Sequence, residues 1–190
     1  RWIDRPVVPV GLDDLPASFD GYRILHITDI HLGVHGSEDR LEDLVNICNE
    51  TPCDLIAFTG DFVSFKKSVT GLSESLARIR RPPDGMVSVL GNHDHWTEPA
   101  AIRAALDRNG VEDLTNRGRR VERGSEALWI CGTGDLWEDH VDVDAAVRDS
   151  PPEAARLLLS HNPDVAETHV SADHRVSLQL SGHTHGGQVK

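Results

Sequence analysis

Six apolar runs of strand length, separated by amphipathic or polar stretches in a chain of 190 residues, predict an α/β layered fold. The runs cover residues 22–28, 54–59, 86–90, 127–131, 156–160 and 176–181, and each is β-branched or Leu-rich. A second observation agrees. Five of the six end in Asp, Asn or His, and the carboxyl edge of an open α/β sheet is where ligands bind.

Residues 1–21, rich in Pro, Asp and Gly, read as a lead-in segment, with Val7-Val8-Pro9-Val10 as a candidate edge strand. Between the first two strands, residues 38–50 place Leu41, Leu44, Val45 and Cys48 on one helical stripe, with Ser37 as the N-cap. Residues 72–80 and 99–109 read as two further helices. The second has Pro in its first turn and stops at Gly110. Three short segments, 112–114, 119–122 and 127–131, read as a local β-meander that adds an antiparallel component. No repeat or low-complexity tract interrupts the series, so residues 1–190 read as one domain, long enough to bury its own core.

Charge narrows the partners. Asp and Glu number 31 against 19 Lys and Arg, for a formal net charge of −12. Gripping a nucleic-acid backbone runs on Lys and Arg, so no stable nucleic-acid partner is expected. No run approaches the roughly 18 apolar residues of a membrane-spanning helix. The chain begins at Arg1, which leaves its compartment open between cytoplasmic and membrane-associated or exported, with any anchor or signal lying outside this sequence. Cys48, Cys53 and Cys131 form neither a zinc-type pair nor a disulfide framework and read as ordinary thiols. Eleven histidines beside so many acids are the raw material of a metal site.

The strand ends locate that material. The first run ends at Asp29-Ile30-His31, the second at Gly60-Asp61, and the third at Gly91-Asn92-His93-Asp94. The fifth ends at His161-Asn162 and the sixth at Gly182-His183-Thr184-His185. Asp29 and Asp61 are 32 residues apart and Asp61 and Asn92 are 31 apart, one βαβ unit each, so successive right-handed units bring these tips side by side. Asp29, His31, Asp61, Asn92, His161, His183 and His185 make seven ligands, too many for one tetrahedral zinc and suited to two five- or six-coordinate ions. Two ions about 3.5–4 Å apart clamp the attacking and leaving oxygens of an in-line displacement and acidify a shared water. Asp61, alone after its strand, is the candidate bridge. His93, not needed to complete either sphere, is free to act as general acid, with Asp94 or a backbone carbonyl to orient its ring.

These five blocks, in this order, resemble the calcineurin-like metallophosphoesterase superfamily over residues 22–187. The resemblance implies a four-layer α/β/β/α sandwich with a dinuclear centre. Asp29, His31, Asp61 and His185 would hold one ion, and Asp61, Asn92, His161 and His183 the other. It also implies hydrolysis of phosphodiester or pyrophosphate bonds by a metal-bridging hydroxide. The ions would be Mn, Fe, Zn, Co or Ni, with Mn foremost for activity. Segments 134–137, 158–164 and 182–188 resemble the bacterial branch of broad phosphodiesterases and UDP-2,3-diacylglucosamine pyrophosphohydrolases, which implies a small phosphate-ester or nucleotide-sugar substrate. Members of that branch often carry an N-terminal membrane anchor.

Two departures qualify the match. Protein phosphatases of the superfamily carry an Asp three residues after the bridging Asp, then Arg-Gly; here Phe62-Val63-Ser64-Phe65 follows, which argues against that activity. Lys190 comes five residues after His185, where family members continue with further strands, so closing strands are expected to be missing. Two alternatives stay open: a nuclease, and a catalytically impaired metal-binding module. His26 reads as a core or supporting group, and His35 and His95 as candidates to line the cleft. Asn162 reads as a helix N-cap. Trp96 and Trp137 read as cleft walls, with core packing equally open for Trp137.

Overall fold

The computed structural model describes residues 5–34 and 37–187. Two four-stranded sheets lie face to face. The first joins β1 (Ile24–Ile27), β2 (Leu55–Thr59), β3 (Met86–Val89) and β4 (Val111–Asp113), all parallel and in that order. The second joins β5 (Arg117–Arg123), β6 (Glu126–Gly132), β7 (Arg156–Leu159) and β8 (Leu178–Leu180). Here only β5 and β6 are antiparallel.

Alternation along each strand builds the layers. In β2, Leu55 and Ala57 face the second sheet and meet Ile130, Leu157 and Leu159, while Ile56 and Phe58 face outward onto helices. Those helices are α1 (Ser37–Glu50), α2 (Val69–Leu76) and α4 (Pro99–Arg108), which bury Val45, Leu72, Ile102 and Leu106. On the far side, Trp129, Cys131 and Leu158 pack against Val143 and Ala146 of α5 (Val143–Val147) and Val165 of α6 (Val165–Thr168). The result is the expected four-layer α/β/β/α sandwich. Because both faces of the central strands are covered, β2, β3 and β7 are buried at every position, which is why they read as continuous apolar runs.

Three expectations are corrected. Residues 111–132 do not form one meander: β4 pairs parallel to β3 in the first sheet, and only β5 and β6 make a hairpin, in the second. The chain crosses between sheets in the turn after β4, where Asp113 accepts the Thr115 N–H at 2.9 Å and Asn116 adopts φ 53°. Val7–Val10 forms no strand among the described residues, and Val7 is 92% exposed. The helix expected at 72–80 runs from Val69 to Leu76 and then tightens, as Arg78 and Ile79 bond back three residues instead of four. The first residue of α1 is Ser37. All three cysteines are free thiols, as expected, with Cys48 and Cys131 buried. Among the described residues no helix is long and apolar enough to cross a membrane.

Candidate metal centre

The site is assembled where the strands of both sheets end. Past β1 and β2 the chains go on pairing: Asp29 N–H donates to Gly60 O, His31 N–H to Asp61 O, and Leu32 N–H to Phe62 O, at 2.9–3.1 Å. This extended ladder fixes Asp29 and His31 against Asp61. From the second sheet, Gly182 N–H donates to His161 O, setting His161 beside the His183 loop. The sheets are then joined at this edge, since both oxygens of Asp29 accept the His183 N–H at 3.1–3.2 Å.

The seven expected ligand residues converge. Around His31 Nε2 lie His185 Nε2 at 3.2 Å, Asp61 Oδ2 at 3.5 Å and Asp29 Oδ1 at 3.8 Å, with His185 Nε2 3.6 Å from Asp29 Oδ1. On the other side of Asp61 Oδ2, His161 Nε2 stands at 3.3 Å, and His183 Nδ1 is 3.3 Å from His161 Nε2 and 3.2 Å from Asn92 Oδ1. Ligands about 2.1 Å from a common ion are separated by about 3.0–3.4 Å along the edges of an octahedron or tetrahedron. The spacing and the mixture of carboxylate, amide and imidazole donors therefore suit the binding of metal at this edge.

Four of the remaining atoms of these side chains are held by protein. His161 Nδ1 donates to Thr59 O at 2.6 Å, which aims Nε2 at Asp61 Oδ2. His31 Nδ1 lies 3.0 Å from Ser64 Oγ. The His93 N–H donates to Asp61 Oδ1 at 2.9 Å, leaving Oδ2 for the centre, and Thr28 Oγ1 donates to Asp29 Oδ2 at 2.8 Å. Thr28, Thr59 and Ser64 carry no motif signal; only their positions next to the strand ends mark them. His26, expected as a supporting group, places Nε2 2.8 Å from Thr59 Oγ1.

Backbone strain is concentrated here. Five of the seven non-glycine residues with positive φ among the described residues are Asp29, His31, Asp61, His183 and His185. Left-handed backbone is costly for such residues and collects at functional sites. Gly91 has a different task, because a Cβ there would strike Asp61 Oδ1 and lie 2.8 Å from both Asp61 N and His161 Cδ2.

Electrostatics follow burial. Burial alone would depress the His161 pKa, but the Asp61 carboxylate and the Thr59 carbonyl outweigh it and push the metal-free imidazole up to about 9. Asp61 is opposed by the same burial, yet the His161 bond and charge hold its carboxyl below the ordinary range. Burial lowers His31 and His183, which favours the neutral imidazoles that metals bind.

Asp94 departs from expectation. Its carboxylate accepts the Phe62 N–H at 2.9 Å, the Val63 N–H at 3.2 Å and the Gly91 N–H at 3.1 Å, so it ties the loop after Asp61 to the start of α3 (Asn92–Thr97) and does not orient the His93 ring. That ring has no protein hydrogen bond among the described residues; it meets His31 edge-on at 4.6 Å and Trp96 at 4.8 Å between centroids. His95 turns toward Asp139, 3.8 Å away, and His35 lies outside the described residues. Asn162 is not the N-cap of α6, a position held by Asp164; its Oδ1 instead accepts the Asp164 N–H at 2.9 Å in the turn before the helix. Trp137 is 57% exposed against the His183 ring, which excludes core packing.

With this geometry in hand, comparison with known proteins decides the family. The profile of the calcineurin-like phosphoesterase family matches residues 22–187. The chain belongs to that family. Relatives include a zebrafish (Danio rerio) transmembrane protein with metallophosphoesterase domain, 31% identical across 96% of this chain and 44% of its own length. The metallophosphoesterase YkuE of Bacillus subtilis is 30% identical over 93% of this chain and 62% of its own. Phosphodiesterase YaeI of Escherichia coli is 31% identical over 89% and 62%. The chain thus spans about half to three fifths of these relatives. Among solved structures, phosphopantetheinyl hydrolase of Mycobacterium tuberculosis shares the fold at a TM-score of 0.55 and 14% identity, over 86% of this chain and 83% of its own. The NAD nucleotidase of Haemophilus influenzae shares it at 0.56 and 13%, over 86% and 43%.

Proposed function

We propose that this calcineurin-like phosphoesterase domain hydrolyses phosphodiester or pyrophosphate bonds of small substrates. Two transition-metal ions would be held by Asp29, His31, Asp61 and His185 on one side and by Asp61, Asn92, His161 and His183 on the other. The observation that carries the reading is Asp61 Oδ2, a single carboxylate oxygen 3.5 Å from His31 Nε2 and 3.3 Å from His161 Nε2. When bound, the ions supply an acidified water and offset the charge of the phosphoryl oxygens.

The chain's own groups do the rest. His93 is anchored by its backbone to Asp61 while its ring, free of protein hydrogen bonds, stands beside His31, where it can pass a proton to the leaving oxygen. The left-handed turns at Asp29, His31, Asp61, His183 and His185 aim the donors before any substrate arrives. The substrates are small phosphate esters, nucleotide sugars among them. A surface carrying a net charge of −12 favours these over nucleic acid, because phosphates are then held at the centre and not by Lys and Arg.

Mn²⁺-loaded protein should release nitrophenol from bis(4-nitrophenyl) phosphate. His93→Ala should lower kcat by roughly 10²–10⁴-fold with metal content unchanged. Asp61→Asn should lower metal content itself. Absence of turnover with Mn²⁺, Fe²⁺, Co²⁺ and Zn²⁺ would overturn the reading.

A further inference from the structure

Two rows of rings run outward from the centre, and each ends on an exposed tryptophan. In the first, His185, His31, His93 and Trp96 follow one another at centroid separations of 5.0, 4.6 and 4.8 Å. In the second, His161, His183 and Trp137 follow at 5.1 and 4.4 Å. Trp96 stands on α3 and Trp137 on the loop after β6, so independent elements deliver them to the same edge of the sandwich. Trp96 is 55% exposed and Trp137 57%. Indole carries a large apolar face, and two tryptophans each left more than half exposed beside one cluster of imidazoles are not explained by packing.

We infer that Trp96 and Trp137 are specificity-determining residues that take a planar aromatic group of the substrate, a nucleobase or an aryl ring, while its phosphoryl group sits at the centre. The inference rests on the proposed phosphoester chemistry, since it needs an anchored phosphate next to the indoles. The chemistry favours a flat ring over an acyl chain. Neither indole has an exposed apolar neighbour in the chain, since His95 and Thr97 flank Trp96 while the core-packed Leu136 and the exposed Glu138 flank Trp137, so they form two separate flat faces and not a continuous apolar furrow. The main chain of Trp137 is fixed, because Asp135 Oδ1 accepts its backbone N–H at 2.9 Å and that of Glu138 at 3.0 Å, and its ring is braced edge-on by the His183 ring at 4.4 Å. Its face is thus preorganised for stacking, which is tolerant of ring identity because every such ring offers a π-face.

The test compares matched ligand pairs on Mn²⁺-loaded protein, read by quenching of indole fluorescence and by calorimetry. Adenosine 5′-monophosphate is set against ribose 5-phosphate, and phenyl phosphate against glycerol 2-phosphate. The aromatic member of a pair should bind roughly ten- to a hundredfold tighter. In the Trp96→Ala/Trp137→Ala double variant that preference should shrink to about twofold, and Trp96→Phe/Trp137→Phe should restore most of it. A preference in the adenosine pair alone assigns the faces to a nucleobase, and one in both pairs to any planar ring. Equal affinity within both pairs for the wild type, or a preference that survives the double alanine variant, overturns the inference. Failure of the phosphoester reading is separate: it shows as no turnover of the nitrophenyl diester, whatever the binding preference.

Discussion

Asp94 has no exposure to solvent, and three backbone N–H groups, from Phe62, Val63 and Gly91, point at its carboxylate. Burial, reinforced by the nearby Asp61 charge, pushes its carboxyl up to about 7 in the metal-free chain even though the Gly91 and Val63 bonds pull the other way. The side chain therefore holds two loops together and, through them, the positions of Asp61 and Asn92. Asp94→Ala leaves three buried donors unpaired and should destabilise the fold by about 3 kcal/mol or more, with weaker metal binding. Asp94→Asn keeps one acceptor oxygen and should lose less. Urea unfolding of both variants, with metal content measured on the folded fraction, checks the order; a stable Asp94→Ala variant with full metal content contradicts it. The sequence marks Asp94 only as a polar residue beside a ligand. Whether it faces its neighbour's ring or the preceding loop depends on where residues 61–63 lie, and that is a tertiary fact.

At the scale of the element, the strand end is the unit that was legible. A strand buried on both faces leaves a continuous apolar run, and the first polar residue after it marks the sheet edge, so Asp29, Asp61, Asn92, His161 and His183 could be placed before any coordinates. The three-residue β4 could not be assigned to its sheet, because so short a strand carries no pairing preference of its own and follows the turn at Asn116. Nor does any residue type announce the left-handed backbone at five of the proposed ligands; glycine would, and these are Asp and His. The element that ends β7 makes a pH prediction. His161 sits just beyond it with its metal-free pKa raised to about 9, above the roughly 6.5 of an unfolded chain. Its contribution to metal-free stability is therefore fully present below about pH 6.5 and is lost as pH rises through about 9. With His161 as a ligand, as proposed, metal binding runs the opposite way, because the ion must displace that proton. Apparent affinity for Mn²⁺ should rise close to tenfold per pH unit between about 7 and 9 and flatten above. Calorimetric titrations in buffers of different ionisation enthalpy should show proton release at pH 7.5 and little at pH 10; equal proton release at both would rule out His161 as its source.

Across the whole molecule, the two sheets are fastened at opposite edges by different chemistry. At the carboxyl edge, the proposed ligands of the first sheet, Asp29, His31, Asp61 and Asn92, face His161, His183 and His185 from the second. At the amino edge, Arg123 of β5 reaches across to Asp54 at 2.7 Å and Asp84 at 3.4 Å, and its guanidinium lies 5.1 Å from the Tyr22 ring centroid and 5.5 Å from that of Phe19. Burial works against the Asp54 carboxylate, but the Arg23 N–H and the Arg123 guanidinium outweigh it and hold its pKa below the ordinary value. A carboxyl depressed on folding contributes stability above its unfolded pKa, about 3.9, and loses it as pH falls through the folded value. Asp54→Asn should thus cost about 1 kcal/mol from pH 7 down to about pH 4, and the gap to wild type should close below that. The two fasteners are separated by the length of β2, five residues or about 16 Å, so they should act independently. Saturation with Mn²⁺ at a hundred times its Kd should add about 2.7 kcal/mol to either protein. Asp54→Asn should then be destabilised equally with and without the metal, to within about 0.5 kcal/mol. Denaturant melts of both proteins in both states, at pH 7 and pH 3, read all of these terms at once. A penalty for Asp54→Asn that persists undiminished at pH 3, or that disappears when Mn²⁺ is added, would mean that Asp54 does not fasten its edge through a charged carboxylate or that the two edges are mechanically coupled.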